Sequence, residues 1–144
     1  MGTRFNMQQV QPEAYKAMIG LEKYLNSTQL TDTHKDLIKM RASQVNGCAY
    51  CINLHTKDAR QHGETEQRIY LLNAWKETTL YTEEERAILA LTEEITLISR
   101  QASDEVYQKA AGLFSETYLA QIIMAIVAIN AWNRIGISTH MQPG

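Results

Sequence analysis

Apolar residues recur at helical spacing along almost the whole chain, and no run alternates with the period of two that is typical of a β-strand. After Pro12, the residues Ala14, Met18, Leu21 and Leu25 follow one another at spacings of four, three and four. Proline suits the first turn of such a helix, because a backbone N–H at that position would lack a helical partner anyway. This pattern predicts an all-α fold, a bundle of helices.

Short breaks separate the predicted helices. One helix is expected from about Asp32 to Val45, and Asn46-Gly47 ends it because both residue types tolerate left-handed backbone. The next helix is expected to begin at Cys48 and to stop near Gly63.

The start of a later helix has a clear signature. Thr82 is followed three residues later by Glu85, which is the sequence of a capping box. Ser103 is a further candidate cap. One apolar stripe is expected after the capping box, formed by Ile88, Leu91, Ile95 and Ile98.

Length and charge limit the function classes. The 144 residues suit one domain, spanning 1–144, and the net charge of −2 gives no basic field for nucleic acid or an anionic membrane. The apolar run Ile122–Ile129 is bracketed by Gln121 and Asn130, so we expect a buried helix too short to span a bilayer. The first residues lack a basic segment followed by an apolar core, so a cytoplasmic location is expected.

Both cysteines lie in the segment NGCAYCINLHTKDA, residues 46–59. On a helix, Cys51 lies one turn after Cys48, and His55 lies one turn after Cys51, so all three share one stripe. The first turn of a helix has unpaired N–H groups and the positive end of the helix dipole, which lower the pKa of a thiol.

Three interpretations of this stripe compete. The two cysteines could be core residues, since free cysteine is among the most buried residue types. Cys48, Cys51 and His55 could instead be three metal ligands, although no second ligand pair at the usual spacing exists. A redox pair is favoured, because C-x-x-C at a helix start, in a chain without other cysteines, is unusual by chance.

The segment KMRASQVNGCAYCINLHTKDAR resembles the core motif of the carboxymuconolactone decarboxylase superfamily, and specifically its AhpD-like alkylhydroperoxidase branch. The resemblance extends through GETEQRIYLLNAWKET, FSETYLAQIIMAIVAINAWNRIGI and PEAYKAMIGLEKYL, which together cover most of the chain. It implies an AhpD-like helical bundle that assembles into a homo-oligomer, such as a trimer or hexamer.

The resemblance also implies an activity. Such a protein is a thiol-dependent peroxidase, a peroxiredoxin-type oxidoreductase that reduces a hydroperoxide with its cysteine pair and needs no metal, flavin or haem. An external dithiol then reopens the disulfide. Cys51 would be the attacking thiolate and Cys48 the resolving thiol, although in other C-x-x-C proteins the first cysteine attacks. Two alternatives remain: a redox-responsive interaction protein without turnover, or a decarboxylase-like enzyme in which the cysteines are incidental.

This chain departs from the family pattern at two positions. The family has a relay glutamate twelve residues before the first cysteine, and Asp36 stands there. Asp36 could relay protons to His55 or form a helix cap with Thr33. AhpD itself has a histidine immediately before the second cysteine, where this chain has Tyr50. The remaining histidines are expected to be solvated, namely His34, His62 and His140.

Overall fold

The computed structural model describes residues 2–144, and in that range all regular secondary structure is helical. The α-helices are α1 (Met7–Val10), α2 (Pro12–Asn26), α3 (Asp32–Asn46), α4 (Ala49–Gln61), α5 (Glu66–Tyr70), α6 (Glu83–Thr96), α7 (Asp104–Leu113) and α8 (Glu116–Thr139). Two short 3₁₀ helices span Leu72–Glu77 and Ile98–Arg100. The predicted all-α fold is confirmed.

Helix α3 lies at the centre of the bundle and packs against α4, α6 and α8. It can do so because it buries apolar side chains on two sides. Ile38 belongs to a large core shared with α2, α6, α7 and α8, whereas Leu37 and Met40 belong to a second core with Leu72 and Trp75. Each fully buried aliphatic side chain contributes roughly 1.5–3 kcal/mol relative to exposure.

The predicted capping box at the start of α6 is confirmed. The Thr82 hydroxyl accepts the N–H of Glu85 at 3.1 Å, and the Glu85 carboxylate accepts the N–H of Thr82 at 2.7 Å. The prediction of an apolar stripe after the capping box is correct for Ile88 and Leu91, which are buried. It is wrong for Ile98, which lies beyond the end of α6 and is 56% exposed.

Helix α8 is the longest helix, with 24 residues. The run Ile122–Ile129 lies in a largely buried part of this helix, as expected, and the helix continues beyond Gln121 and Asn130. By length and composition alone α8 could cross a membrane, a property that it shares with core helices of globular proteins. Here it packs against α2, α3 and α6 and buries Ile122, Ile126 and Ile129 among them.

Candidate active site

The turn between α3 and α4 sets the position of the cysteine pair. Gly47 ends α3 in the left-handed conformation, with φ 72°. The N–H of Cys48 then donates to the carbonyl of Ser43 at 3.0 Å. Cys48 is the N-cap of α4, and its Sγ accepts the N–H of Cys51 at 3.3 Å. The helix predicted from Cys48 is confirmed, with Cys48 as its cap.

The structure brings the two sulfur atoms to bonding distance. The Sγ atoms of Cys48 and Cys51 are 2.09 Å apart, and their Cα atoms are 5.3 Å apart. Both side chains are buried, and His55 on the next turn of α4 is 9% exposed. Three of the four predicted site residues therefore lie together at the start of one helix.

Gly136 on α8 lies directly behind the sulfur pair, and it was not predicted from the sequence. A Cβ atom at this position would be 3.1 Å from the Cys48 Sγ and 3.5 Å from the Cys51 Sγ. The backbone of α8 can therefore lie this close to the disulfide because glycine has no side chain. The sequence feature that could have identified Gly136 is its position as an isolated glycine inside a long apolar helix.

A buried polar network holds the α3–α4 turn against α8. Asn133 is fully buried, and its Nδ2 donates to the Ser43 hydroxyl at 3.0 Å. Asn46 Nδ2 donates to the Oδ1 atoms of Asn133 at 2.9 Å and of Asn130 at 3.0 Å. Because these amides satisfy one another, the turn that carries Cys48 is fixed relative to Gly136.

A cavity of about 540 Å³ opens beside Cys51 and His55. Its walls combine apolar and aromatic side chains with a few charged ones, and both ends of the chain contribute to it. The lining residues include Phe5, Met7, Tyr15, Glu22, Lys39, Tyr50, Cys51, His55, Asp58, Trp132 and Met141. Cys48 is not among the residues that line it. Of the two cysteines, Cys51 therefore borders the space where a small molecule could bind.

His55 is held neutral by its surroundings. Its Nδ1 is buried and has no hydrogen-bond partner within the described residues, and the nearest acid, Asp58, has its Oδ2 3.6 Å away. Burial, and after it the positive charge of Lys39, lower the pKa of His55 to about 4, although Asp58 and Glu22 act in the opposite direction. At neutral pH this imidazole is uncharged, so it can accept a proton.

Asp36 does not lie with the cysteine pair. It is 4% exposed, and its Oδ2 is 2.7 Å from Nδ1 of His62 at the end of α4. Burial raises the pKa of Asp36, and this hydrogen bond raises the pKa of His62. The predicted cap formed by Asp36 and Thr33 is wrong, since Thr31 caps α3 by accepting the N–H of His34.

The predicted solvation of the other histidines is only partly correct. His62 has a partly exposed ring, but it is paired with Asp36. His34 is half-buried and its Nδ1 lies 2.6 Å from the Tyr118 hydroxyl. Neither ring reaches the cavity beside Cys51.

An ion pair inside the cavity was not foreseen from the sequence. Lys39 Nζ lies 3.3 Å from the Glu22 Oε2, and Trp132 Nε1 donates to the other carboxylate oxygen at 3.0 Å. The three residues belong to α3, α2 and α8, so only the tertiary fold brings them together. In residues 2–144 no three His, Cys, Asp or Glu side chains are grouped to hold a metal ion.

The fold and the site define a class of protein: an all-helical bundle with a C-x-x-C pair at a helix start beside a cavity. The chain belongs to the carboxymuconolactone decarboxylase family, whose model matches residues 12–94. It is 45% identical to the uncharacterized protein YdfG of Bacillus subtilis (strain 168), over 96% of this chain and 95% of the relative.

Solved structures place the chain in the AhpD-like branch of that family. A protein of unknown function from Agrobacterium tumefaciens, described as a putative antioxidant defence protein AhpD, is 40% identical with a TM-score of 0.96. The match covers 99% of this chain and 98% of that one. The debrominase Bmp8 has a similar fold, with a TM-score of 0.87 at 21% identity over 95% of this chain and 74% of its own.

Proposed function

We propose that this protein is a thiol-dependent peroxidase in which Cys51 attacks a hydroperoxide and Cys48 resolves the product. One observation carries the proposal: the two sulfur atoms lie within bonding distance, and of the two cysteines Cys51 lines the cavity. A substrate in the cavity would therefore lie beside Cys51, whereas Cys48 is not part of the cavity wall. This arrangement supports Cys51 as the attacking residue.

The reaction proceeds in three balanced steps. The Cys51 thiolate attacks the outer oxygen of R–O–OH; the O–O bond breaks, Cys51 becomes a sulfenic acid, and the leaving alkoxide takes a proton to form R–OH. The Cys48 thiolate then attacks the sulfenic sulfur, the disulfide forms, and the departing hydroxide is protonated to water. An external dithiol reduces the disulfide by thiol–disulfide exchange and is itself oxidised to a disulfide.

His55 is proposed as the proton acceptor for the Cys51 thiol. It lies one helical turn away on the same stripe, it lines the same cavity, and it is neutral at physiological pH. Asp36 is proposed to act at most indirectly, because its carboxylate is paired with His62. Tyr50 lines the cavity and can donate a hydrogen bond to the bound peroxide.

The family membership supports the remaining parts of the proposal. The partners would be a hydroperoxide and an external dithiol, with no metal, flavin or haem taking part. The protein would act in the cytoplasm as a homo-oligomer, a trimer or hexamer.

The test is peroxide consumption with dihydrolipoamide as the reductant. The parent protein should turn over, and Cys51→Ser should consume no peroxide. Cys48→Ser should consume one equivalent and leave a sulfenic acid on Cys51 that dimedone traps, because no resolving thiol remains.

The control variant is Lys57→Ala, an exposed change on α4 that removes no thiol and lies outside the cavity wall, so it should turn over like the parent protein. Single-equivalent consumption by Cys51→Ser in place of Cys48→Ser would reverse the assigned order. Reversible disulfide formation without any peroxide turnover would overturn the peroxidase in favour of a redox-responsive interaction protein.

A further inference from the structure

The cavity beside Cys51 contains one cationic side chain. Among the described residues that line it, the charged ones are Lys39, Glu22 and Asp58. A thiolate in a largely buried site is costly unless a positive charge or hydrogen-bond donors compensate it. The N-terminus of α4 provides donors, but Lys39 alone provides a full positive charge.

His55 cannot supply this positive charge at neutral pH. Its ring is buried, no described residue forms a hydrogen bond with Nδ1, and burial keeps the pKa of the imidazole at about 4. A histidine of this kind receives a proton only transiently. The lasting counter-charge for an anion in this cavity must come from another residue.

Lys39 is held in place rather than free to leave the cavity. Its side chain is 16% exposed, and its Nζ is paired with Glu22, which Trp132 holds from α8. The charge of Lys39 still acts at the cysteine end of the cavity. After burial, it is the largest single cause of the lowered pKa of His55, which lies one helical turn from Cys51.

We propose that Lys39 supplies the positive charge that favours the thiolate form of Cys51, and that its ion-pair partner Glu22 weakens this effect. The inference deepens the proposed thiol chemistry and rests on it. The titratable groups that share the cavity with Cys51 are Tyr15 and Glu22 from α2, Lys39 from α3, and Tyr50, His55 and Asp58 from α4.

The test measures the ionisation of Cys51 itself. In a Cys48→Ser background, where serine can still cap α4, the rate of alkylation by iodoacetamide is followed against pH. Lys39→Met should raise the thiol pKa by about one unit and slow alkylation near pH 7 up to about tenfold. Lys39→Arg keeps the charge and should restore a profile near that of the background protein.

A second variant should shift the pKa of the Cys51 thiol in the opposite direction. Glu22→Gln removes a negative charge but keeps a hydrogen-bonding side chain, so it should lower the thiol pKa. Damage to the fold would move both variants in the same direction. Lys35→Met is the matched control: Lys35 lies one turn earlier on α3, is paired with Asp32 and does not line the cavity.

The outcomes separate this inference from the proposed function. An unchanged profile in Lys39→Met, or shifts of the same sign in Lys39→Met and Glu22→Gln, overturns the role of Lys39. Alkylation requires no peroxide. Opposite shifts in a protein that fails to turn over peroxide would therefore support the role of Lys39 while refuting the peroxidase.

Discussion

The most unusual single side chain is His55, which is buried as a neutral ring with one nitrogen that has no partner among residues 2–144. A buried polar group without a partner costs free energy, and proteins seldom retain one without a reason. The neighbouring Asp58 is too distant, at 3.6 Å, to satisfy it fully. We infer that the folded protein is less stable because it keeps His55 as a neutral base beside Cys51.

This cost predicts a pH dependence of stability. The pKa of His55 is about 4 in the folded protein and 6.5 in the unfolded chain. Below pH 6.5 this histidine is protonated in the unfolded chain, whereas in the folded protein it stays neutral down to about pH 4. The free energy of unfolding therefore falls as the pH falls. Between about pH 7.5 and pH 5 the loss should be about 2 kcal/mol.

The measurement compares urea unfolding of the oxidised parent protein and His55→Gln at both pH values. Asp36 and His62 also titrate, but they are present in both proteins and cancel in the difference. The parent should lose about 2 kcal/mol more than the variant. Equal losses in the two proteins would show that His55 is not held neutral by burial.

At the scale of the helices, the site depends on how closely α8 approaches the start of α4. Glycine inside a helix costs roughly 0.5–1 kcal/mol relative to alanine. At Gly136 that cost is offset by contact with the sulfur pair, since even a methyl group would lie 3.1 Å from the Cys48 Sγ. Gly20, inside α2, has no such role, because no side chain or neighbouring helix lies within 4 Å of the place that a methyl group would take.

The two glycines therefore predict opposite effects of one substitution. Gly20→Ala should raise the free energy of unfolding by about 0.5–1 kcal/mol through helix propensity. Gly136→Ala gains the same propensity but overpacks the disulfide, which typically costs about 1–3 kcal/mol, so it should be neutral or destabilising. Urea unfolding of the oxidised proteins checks both. An equal gain at the two positions would mean that α8 does not press on the sulfur pair.

Local signals made the helix boundaries predictable from the sequence. Gly47, Cys48 and the Thr82–Glu85 pair act within one turn of their own position, so their spacing sufficed. The cavity ion pair was not predictable, because Glu22 and Lys39 meet only when α2 and α3 pack. The pairing of Asp36 with His62 likewise depends on how α3 and α4 cross, which periodicity does not specify.

At the scale of the whole molecule, residues from both the beginning and the end of the sequence line the cavity. Phe5 and Met7 from the beginning and Met141 from the end all line it. Arg4 ties these ends together: its N–H donates to the carbonyl of Thr139 at 2.8 Å, and its Nη1 to that of Ser138 at 3.1 Å. We therefore expect access to Cys51 to depend on the attachment of the first residues to α8.

Arg4→Ala should loosen this attachment and open the cavity more often. It removes one exposed hydrogen bond, worth about 1 kcal/mol, so the open fraction should rise up to about fivefold. In the Cys48→Ser protein, the reaction of Cys51 with a bulky disulfide reagent should accelerate by that factor, while urea unfolding changes little. Lys16→Ala, an exposed change on α2 away from the cavity, is the control. A rate that matches the control would mean that the first residues do not limit entry, and that molecules reach Cys51 by another face of the cavity.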